Sequence, residues 1–223
     1  MIDSEKHKVS FSLEGVPYIE KFVDREVEMR QLEDYFHSQV PGPPRRKVFV
    51  LYGLGGIGKT QLAIAYARKY LERYSSVFWV DGSSRDKARQ SFFDIATRLP
   101  QPEVSGELKR TLEESKPDMD VVVKAVRQWF SQPSNRYWLL IFDNVDHDYP
   151  PDTENPQAFD VKELFPSADH GCIIITTRLA GLGRRWDGQK VEKVNKEQAK
   201  AILERNAKRS IQGICLTGWL VGR

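Results

Sequence analysis

The stretch from Val48 to Ala63, VFVLYGLGGIGKTQLA, ends a short apolar run in glycines at 53, 55, 56 and 58 and follows them with Lys59 and Thr60. A tight turn needs one glycine. Several side-chain-free positions close together let backbone N–H groups converge on a single anion. An ammonium placed next reaches the outer oxygens of a polyphosphate, and a hydroxyl after it ligates Mg2+. The spacing Gly53-x4-Gly58-Lys59-Thr60 is expected by chance in about one chain in a hundred of this length. A second candidate is LLIFDNVD (139–146), where the Asp143 carboxylate ends a hydrophobic run and suits a Mg2+ partner beside a phosphate loop. The third is CIIITTR (172–178). There Arg178 follows Thr176 and Thr177, and its guanidinium either points to a terminal phosphate or lies at the surface where a helix starts.

These residues need elements to position them. Val48 to Tyr52 is β-branched and aromatic and is bounded by glycine, which predicts a strand covered on both faces. From Thr60 onward, Leu62, Ala63, Ala65, Tyr66 and Tyr70 recur at three- and four-residue spacings and predict a helix. The glycines therefore join a strand to a helix N-terminus, whose free N–H groups and positive dipole favour an anion; this is the P-loop arrangement. Downstream, SVFWV (76–80) reads as a second strand, and Ser83 or Ser84 as the cap of a helix through ARQSFFDIATRL (88–99). Residues 101–118 are polar and predict a loop with a little helix, MDVVVKAVRQWF (119–130) a helix, and YWLLIFDNVD (137–146) a third strand. Residues 147–160 carry three prolines and predict a surface loop. GCIIITTR (171–178) and QKVEKV (189–194) read as the fourth and fifth strands, and NKEQAKAILERN (195–206) as a capped helix. Alternating strands and helices predict an α/β fold with a parallel sheet and helical crossovers.

Composition narrows the class. At 223 residues and 40% hydrophobic content the chain can bury one sizeable core. Its formal charge of +3 gives no strong nucleic-acid footprint, and PPRRK (43–47) reads as a solvated loop. The start, MIDSEKHK, lacks the apolar core of a signal peptide, and the apolar runs fall short of a membrane span. A cytoplasmic protein is the expectation, with Cys172 and Cys215 as buried, reduced thiols.

Together the quoted segments resemble the NB-ARC nucleotide-binding domain of the STAND class of P-loop ATPases, the switch module of NOD-like and plant disease-resistance receptors, and look most like its fungal members. The resemblance runs from about Tyr18 to Asn206. It implies a P-loop NTPase three-layer sandwich with a central parallel five-stranded sheet, in which the Arg178 strand lies between the P-loop strand and the Asp143 strand. It implies ADP or ATP with Mg2+ as cofactors. Gly55, Gly56, Ile57, Gly58, Lys59, Thr60 and Gln61 would form the Walker A segment, and Thr60 and Asp143 would hold the metal. Arg178 would read the γ-phosphate as sensor 1. PYIEKFVDREVEMRQLEDYF (17–36) is similar to the lead-in that holds adenine, which implies that Phe22 and Val23 line the base and that Arg25 helps to fix the nucleotide. Asp24 stands where that signature has glycine.

By the same match, residues 1–16 form an N-terminal extension, 17–206 the NB-ARC nucleotide-binding domain, and 207–223 an atypical tail. The helical ARC and winged-helix parts of the family have no counterpart in that tail, which reads as a truncated product or an altered reading frame. Any effector or sensor domain would lie outside this chain, and self-association is the implied partner interaction. Asn144 stands where many relatives carry a second acidic residue. Its amide can orient a water but cannot accept a proton at neutral pH, so hydrolysis is expected to be slow or absent unless Asp146 substitutes. Lys59, Asp143, Asn144 and Arg178 are the residues of whatever catalysis there is. The expected function is an ADP/ATP-binding switch. The alternatives are a turnover ATPase of AAA type acting on nucleic acid and a scaffold that binds nucleotide without hydrolysing it.

Overall fold

The computed structural model describes residues 6–12, 25–38, 45–147 and 158–207. Five strands, β1 (Lys47–Tyr52), β2 (Ser76–Asp81), β3 (Trp138–Asp143), β4 (Cys172–Thr177) and β5 (Asp187–Lys190), form one sheet in the order β2-β3-β4-β1-β5, with all pairs parallel. Helices α1 (Glu26–His37), α2 (Lys59–Lys69), α3 (Arg85–Arg98), α4 (Gly106–Glu113), α5 (Met119–Phe130), α6 (Ala180–Arg185) and α7 (Lys196–Ala207), with short 3-10 turns at Leu71–Arg73, Gln101–Glu103 and Val161–Leu164, complete the regular structure of the described residues.

Alternation along each strand divides the core in two. Val50, Phe78, Val80, Leu140, Phe142, Ile173 and Ile175 face one side and pack with Phe92, Ile95, Val126 and Phe130 of α3 and α5. Phe49, Leu51, Val77, Leu139, Ile141 and Ile174 face the other and pack with Leu32, Phe36, Leu62 and Tyr66 of α1 and α2. A parallel sheet covered on both faces needs strands that are apolar at every position, which is why β1, β3 and β4 read as unbroken hydrophobic runs. The three layers follow from that two-sided burial.

Caps set the helix starts. The Ser84 side chain accepts from the Lys87 N–H, so of the two candidate serines it is Ser84 that caps α3. Asp118 accepts from the Asp120 and Val121 N–H groups at the start of α5. Asn195 and Gln198 exchange side-chain and backbone bonds at 2.7 and 3.0 Å, a capping box for α7.

One strand differs from the sequence reading, and the lead-in holds a helix where no element was predicted. The fifth strand is DGQK rather than QKVEKV, lying upstream and pairing with Phe49–Tyr52. As an edge strand its polar residues face solvent, so hydropathy does not mark it; the Val191 N–H still donates to the Tyr52 carbonyl at 2.7 Å. Part of the lead-in, Glu26–His37, is a helix whose Leu32 and Phe36 are buried against the α2 layer. At the N-terminus, residues 6–12 lie against the domain: His7 is buried, and the Val9 N–H donates to the Ser75 carbonyl beside β2 at 2.9 Å. Cys172 is free, and burial pushes its thiol up to about 11. Cys215 lies outside the described residues. Among the described residues no helix is long and apolar enough to cross a membrane.

Candidate functional site

The loop from Gly53 to Gly58 links the carboxyl end of β1 to α2. Gly58 is the N-cap of α2 with φ +97°, a left-handed conformation that residues with a Cβ rarely adopt. No acidic residue occupies the first turn of α2, so no carboxylate of the helix itself competes with an anion for the N–H groups and dipole of its start. Lys59 is 8% exposed, and its Nζ donates to the Gly53 and Leu54 carbonyls at 3.0 and 2.9 Å. The ammonium is thus held within the loop that it follows. Burial lowers its proton affinity; the Asp146 carboxylate raises it, Arg178 lowers it and Asp143 raises it.

From the neighbouring strands come the polar groups that meet this loop. Asp143 ends β3 and is 2% exposed. Its Oδ1 accepts from Thr60 Oγ1 at 2.8 Å and from Thr176 Oγ1, and its Oδ2 accepts from Asn144 Nδ2 at 3.1 Å. Burial raises the carboxyl above its ordinary range, the two threonine hydroxyls oppose that, and Asp81 and Asp146 add to it. Asp81 lies directly across from Asp143 in the β2–β3 register.

This donor set fits Mg2+. A hydroxyl has one hydrogen and two lone pairs, so Thr60 can donate to Asp143 and still offer oxygen to a cation. Three of the roughly four lone-pair sites of the Asp143 carboxylate are engaged, which leaves room for a single further contact. Mg2+ characteristically takes one or two carboxylates plus phosphates and waters rather than a protein cage. Among the described residues no group of three or more His, Cys, Asp or Glu could hold a metal ion.

Arg178 follows β4 directly and lies over the phosphate loop: a Cβ on Gly55 would sit 3.3 Å from Arg178 Cζ and 3.4 Å from its Nε. A side chain at position 55 would therefore press on the guanidinium. Arg178 Nε lies 2.9 Å from Asp146 Oδ2, and the Arg178 backbone N–H donates to Asp146 Oδ1 at 2.7 Å. Asn144 adopts φ +60°, and its N–H donates to Thr176 Oγ1 at 3.0 Å, so the turn that carries Asn144 and Asp146 is tied to β4.

Arg25, expected to help fix the nucleotide, is 4% exposed and holds protein groups together. Its Nη2 donates to the Ile57 carbonyl at 2.7 Å, and its Nη1 donates to the Glu192 carbonyl at 2.8 Å and to Glu28 Oε1 at 2.9 Å. It links the lead-in, the phosphate loop and the segment after β5. Beside that link a cavity of 390 Å³ is lined by Leu54, Ile57, Lys190, Val191, Glu192 and Lys193. Gly56 has φ +71° with open space at its Cβ position, and Gln61 is half-buried on α2. Phe22 and Val23 lie outside the described residues.

Sequence reasoning reached Lys59, Thr60, Asp143, Asn144 and Arg178, which the fold brings to one edge of the sheet. It missed the tie between Thr176 and Asp143, although a hydroxyl at the carboxyl end of a strand was a visible signal. The i,i+3 spacing of Arg25 and Glu28 was a visible signal for that pair, whereas nothing in the sequence marked the Glu192 carbonyl as a partner of Arg25.

Comparison with known proteins bears on the family and the fold. The NB-ARC domain profile matches residues 29–210. A nucleotide-binding leucine-rich repeat (NLR)-like protein of the fungus Hyaloscypha variabilis is 26% identical over 166 residues, covering 71% of this chain and 16% of that protein. The chain therefore spans about a sixth of that relative's length. Among solved structures, Cdc6p from Pyrobaculum aerophilum matches with a TM-score of 0.52 at 12% identity, over 90% of this chain and 54% of that one. The Aeropyrum pernix ORC1 protein, solved in complex with DNA, matches with a TM-score of 0.53 at 15% identity, over 85% of this chain and 50% of that one. At such identities the likeness is one of fold.

Proposed function

The chain belongs to the NB-ARC domain family, and from that premise we propose that it is an ADP/ATP-binding switch module of a NOD-like signalling receptor, with slow or absent hydrolysis. The observation that carries the reading is the position of Arg178, whose guanidinium lies against Gly55 of the phosphate loop. A cation there meets the outermost phosphate of a bound nucleotide and discriminates triphosphate from diphosphate. Only such a difference in interaction between two states can move a switch.

Each residue then has a task. The loop N–H groups and Lys59 bind phosphates, Thr60 and Asp143 hold Mg2+, and Asn144 orients a water without taking its proton. The metal, when bound, neutralises charge between the phosphates. The exposed surfaces whose self-association would follow γ-phosphate binding belong to the same proposal. A turnover ATPase acting on nucleic acid is the weaker reading, since it needs an efficient proton acceptor where Asn144 stands and the chain carries a formal charge of only +3.

The test is direct. Purified protein is denatured and the released nucleotide identified by chromatography, and ADP and a non-hydrolysable ATP analogue are titrated into parent and Arg178→Ala protein. The substitution is expected to weaken the analogue by about 1–3 kcal/mol and to spare ADP. Equal losses for both nucleotides refute the sensing role, and no binding of either refutes the function.

A further inference from the structure

We propose that Asp146 is the positioning residue for Arg178, and that through it the turn after β3 sets how strongly the module distinguishes a triphosphate from a diphosphate. This rests on the nucleotide-switch reading above and assigns its regulation to a residue outside the expected binding set.

An arginine at the surface samples many rotamers, and the ordering of such a side chain weakens each contact it makes. Arg178 has 66% of its side chain exposed, so burial does not hold it. What holds it is Asp146, at both ends: Oδ1 accepts from the Arg178 backbone N–H at 2.7 Å, and Oδ2 lies 2.9 Å from Nε. The aspartate is itself fixed. Its own N–H donates to the Asn144 carbonyl at 2.8 Å, the Val145 N–H donates to the Thr176 carbonyl at 2.9 Å, and Thr177 Oγ1 donates to the Val145 carbonyl. The Asp146 side chain is only 18% exposed. A rigid turn bonded to β4 therefore presents a carboxylate that aims the guanidinium across Gly55.

The same geometry bears on a second role. Each Asp146 oxygen is turned to Arg178, which takes two of the roughly four lone-pair sites of the carboxylate. The proposal assigns its action on the nucleotide to the arginine, and single-turnover hydrolysis separates that role from proton acceptance.

The experiment is a double-mutant cycle on affinity, with Asp146→Ala, Arg178→Ala and the pair, each titrated with ADP and with a non-hydrolysable ATP analogue at one Mg2+ concentration. Removing a carboxylate also removes a general repulsion toward any phosphate; the Arg178→Ala background measures that effect alone and lets it be subtracted. After subtraction, Asp146→Ala is expected to weaken the analogue roughly two- to fivefold and ADP not at all, the size of one partly exposed ion pair. Asp146→Asn retains an acceptor for the backbone N–H and should recover part of the loss. In protein without added nucleotide, the Arg178 Nε–H signal in nitrogen-edited NMR should exchange faster in Asp146→Ala than in the parent. A coupling of zero, an equal coupling for ADP, or a coupling that tightens the analogue overturns the proposal. So does lost single-turnover hydrolysis with both affinities intact, which would make Asp146 the proton acceptor. If the parent binds neither nucleotide, it is the switch reading that fails, and the Nε–H exchange still reports on the ion pair. Thermal melts and Asp146→Asn guard against a misfolded alanine variant.

Discussion

Arg25→Ala separates two roles that the sequence could not tell apart. If Arg25 chiefly contacts nucleotide, its loss leaves the fold intact. The bonds it makes argue otherwise: it donates to two carbonyls at 2.7 and 2.8 Å and pairs with Glu28 at 2.9 Å, with the arginine 4% exposed. Truncation leaves two part-buried carbonyls short of a donor and a Glu28 carboxylate without its partner. A hydrogen bond from a charged group contributes about 1.5–3 kcal/mol, and breaking a buried pair costs about 3–5 kcal/mol. Water entering the space left by the side chain recovers part of this, so a net loss of about 2–4 kcal/mol is expected. For a domain of this size that lowers Tm by roughly 4–16 °C. The assay is urea denaturation and a thermal melt without nucleotide, repeated with saturating ADP, alongside Glu28→Gln, which removes only the charge of one partner and should cost less. ADP affinity should fall as a consequence, because the Ile57 carbonyl and the loop around it lose their tie to the segment after β5. A variant within about 0.5 kcal/mol of the parent's stability that has nevertheless lost ADP binding would refute the clamp and return Arg25 to the nucleotide.

Two further outcomes follow from the Asp143 cluster. Burial raises the Asp143 carboxyl, so the folded protein holds its proton to higher pH than the unfolded chain does; the stability associated with this group is full below the unfolded value and declines as pH rises toward the folded one. Asp143→Asn is therefore expected to raise Tm at pH 7 without Mg2+, with the gain shrinking as pH is lowered toward 4; thermal melts across that range check it, and a gain that grows on acidification contradicts it. Asn144→Asp should raise single-turnover ATP hydrolysis if proton acceptance is limiting, since aspartate tolerates the φ of +60° at this position. Phosphate release under saturating ATP measures it, and an unchanged rate points to a missing element elsewhere.

Much of this arrangement was legible in the sequence because its core strands are buried on both faces. VFVLY, WLLIFD and CIIITT have no alternative to a strand in the middle of a sheet, and the residues after each fall at its carboxyl edge, where Lys59, Asp143 and Arg178 meet. The position of β4 between β1 and β3 came from the resemblance, and the register bears it out: Val50 pairs with Ile175, and Ile141 with Ile174. What could not be read has a physical cause in each case. DGQK is polar because it forms an edge, so periodicity pointed to the valines beyond it. For Arg25 the sequence gives residue type and, through the resemblance, a place near the nucleotide, but not the carbonyls of Ile57 and Glu192 to which two of its five N–H donors are directed. Asn144 gives no sign in one dimension that its backbone is left-handed, nor that the turn it starts delivers Asp146 to Arg178.

The order of strands also bears on how the chain comes to be folded at all. β1 carries the phosphate loop, yet both of its neighbours, β4 and β5, are encoded after every other strand: Lys47 pairs with Cys172, and Phe49 with Asp187. β2 and β3 are adjacent in sequence order and can associate through α3 to α5 while β1 still has no partner. Contacts so distant along the chain require a costly loop closure before any hydrogen bond repays it, and they slow folding. As the ribosome releases the chain, the apolar run VFVLY must wait without a sheet, exposed to the wrong neighbours or to a chaperone. The phosphate cradle is therefore among the first parts of the site to be synthesised and the last to be framed.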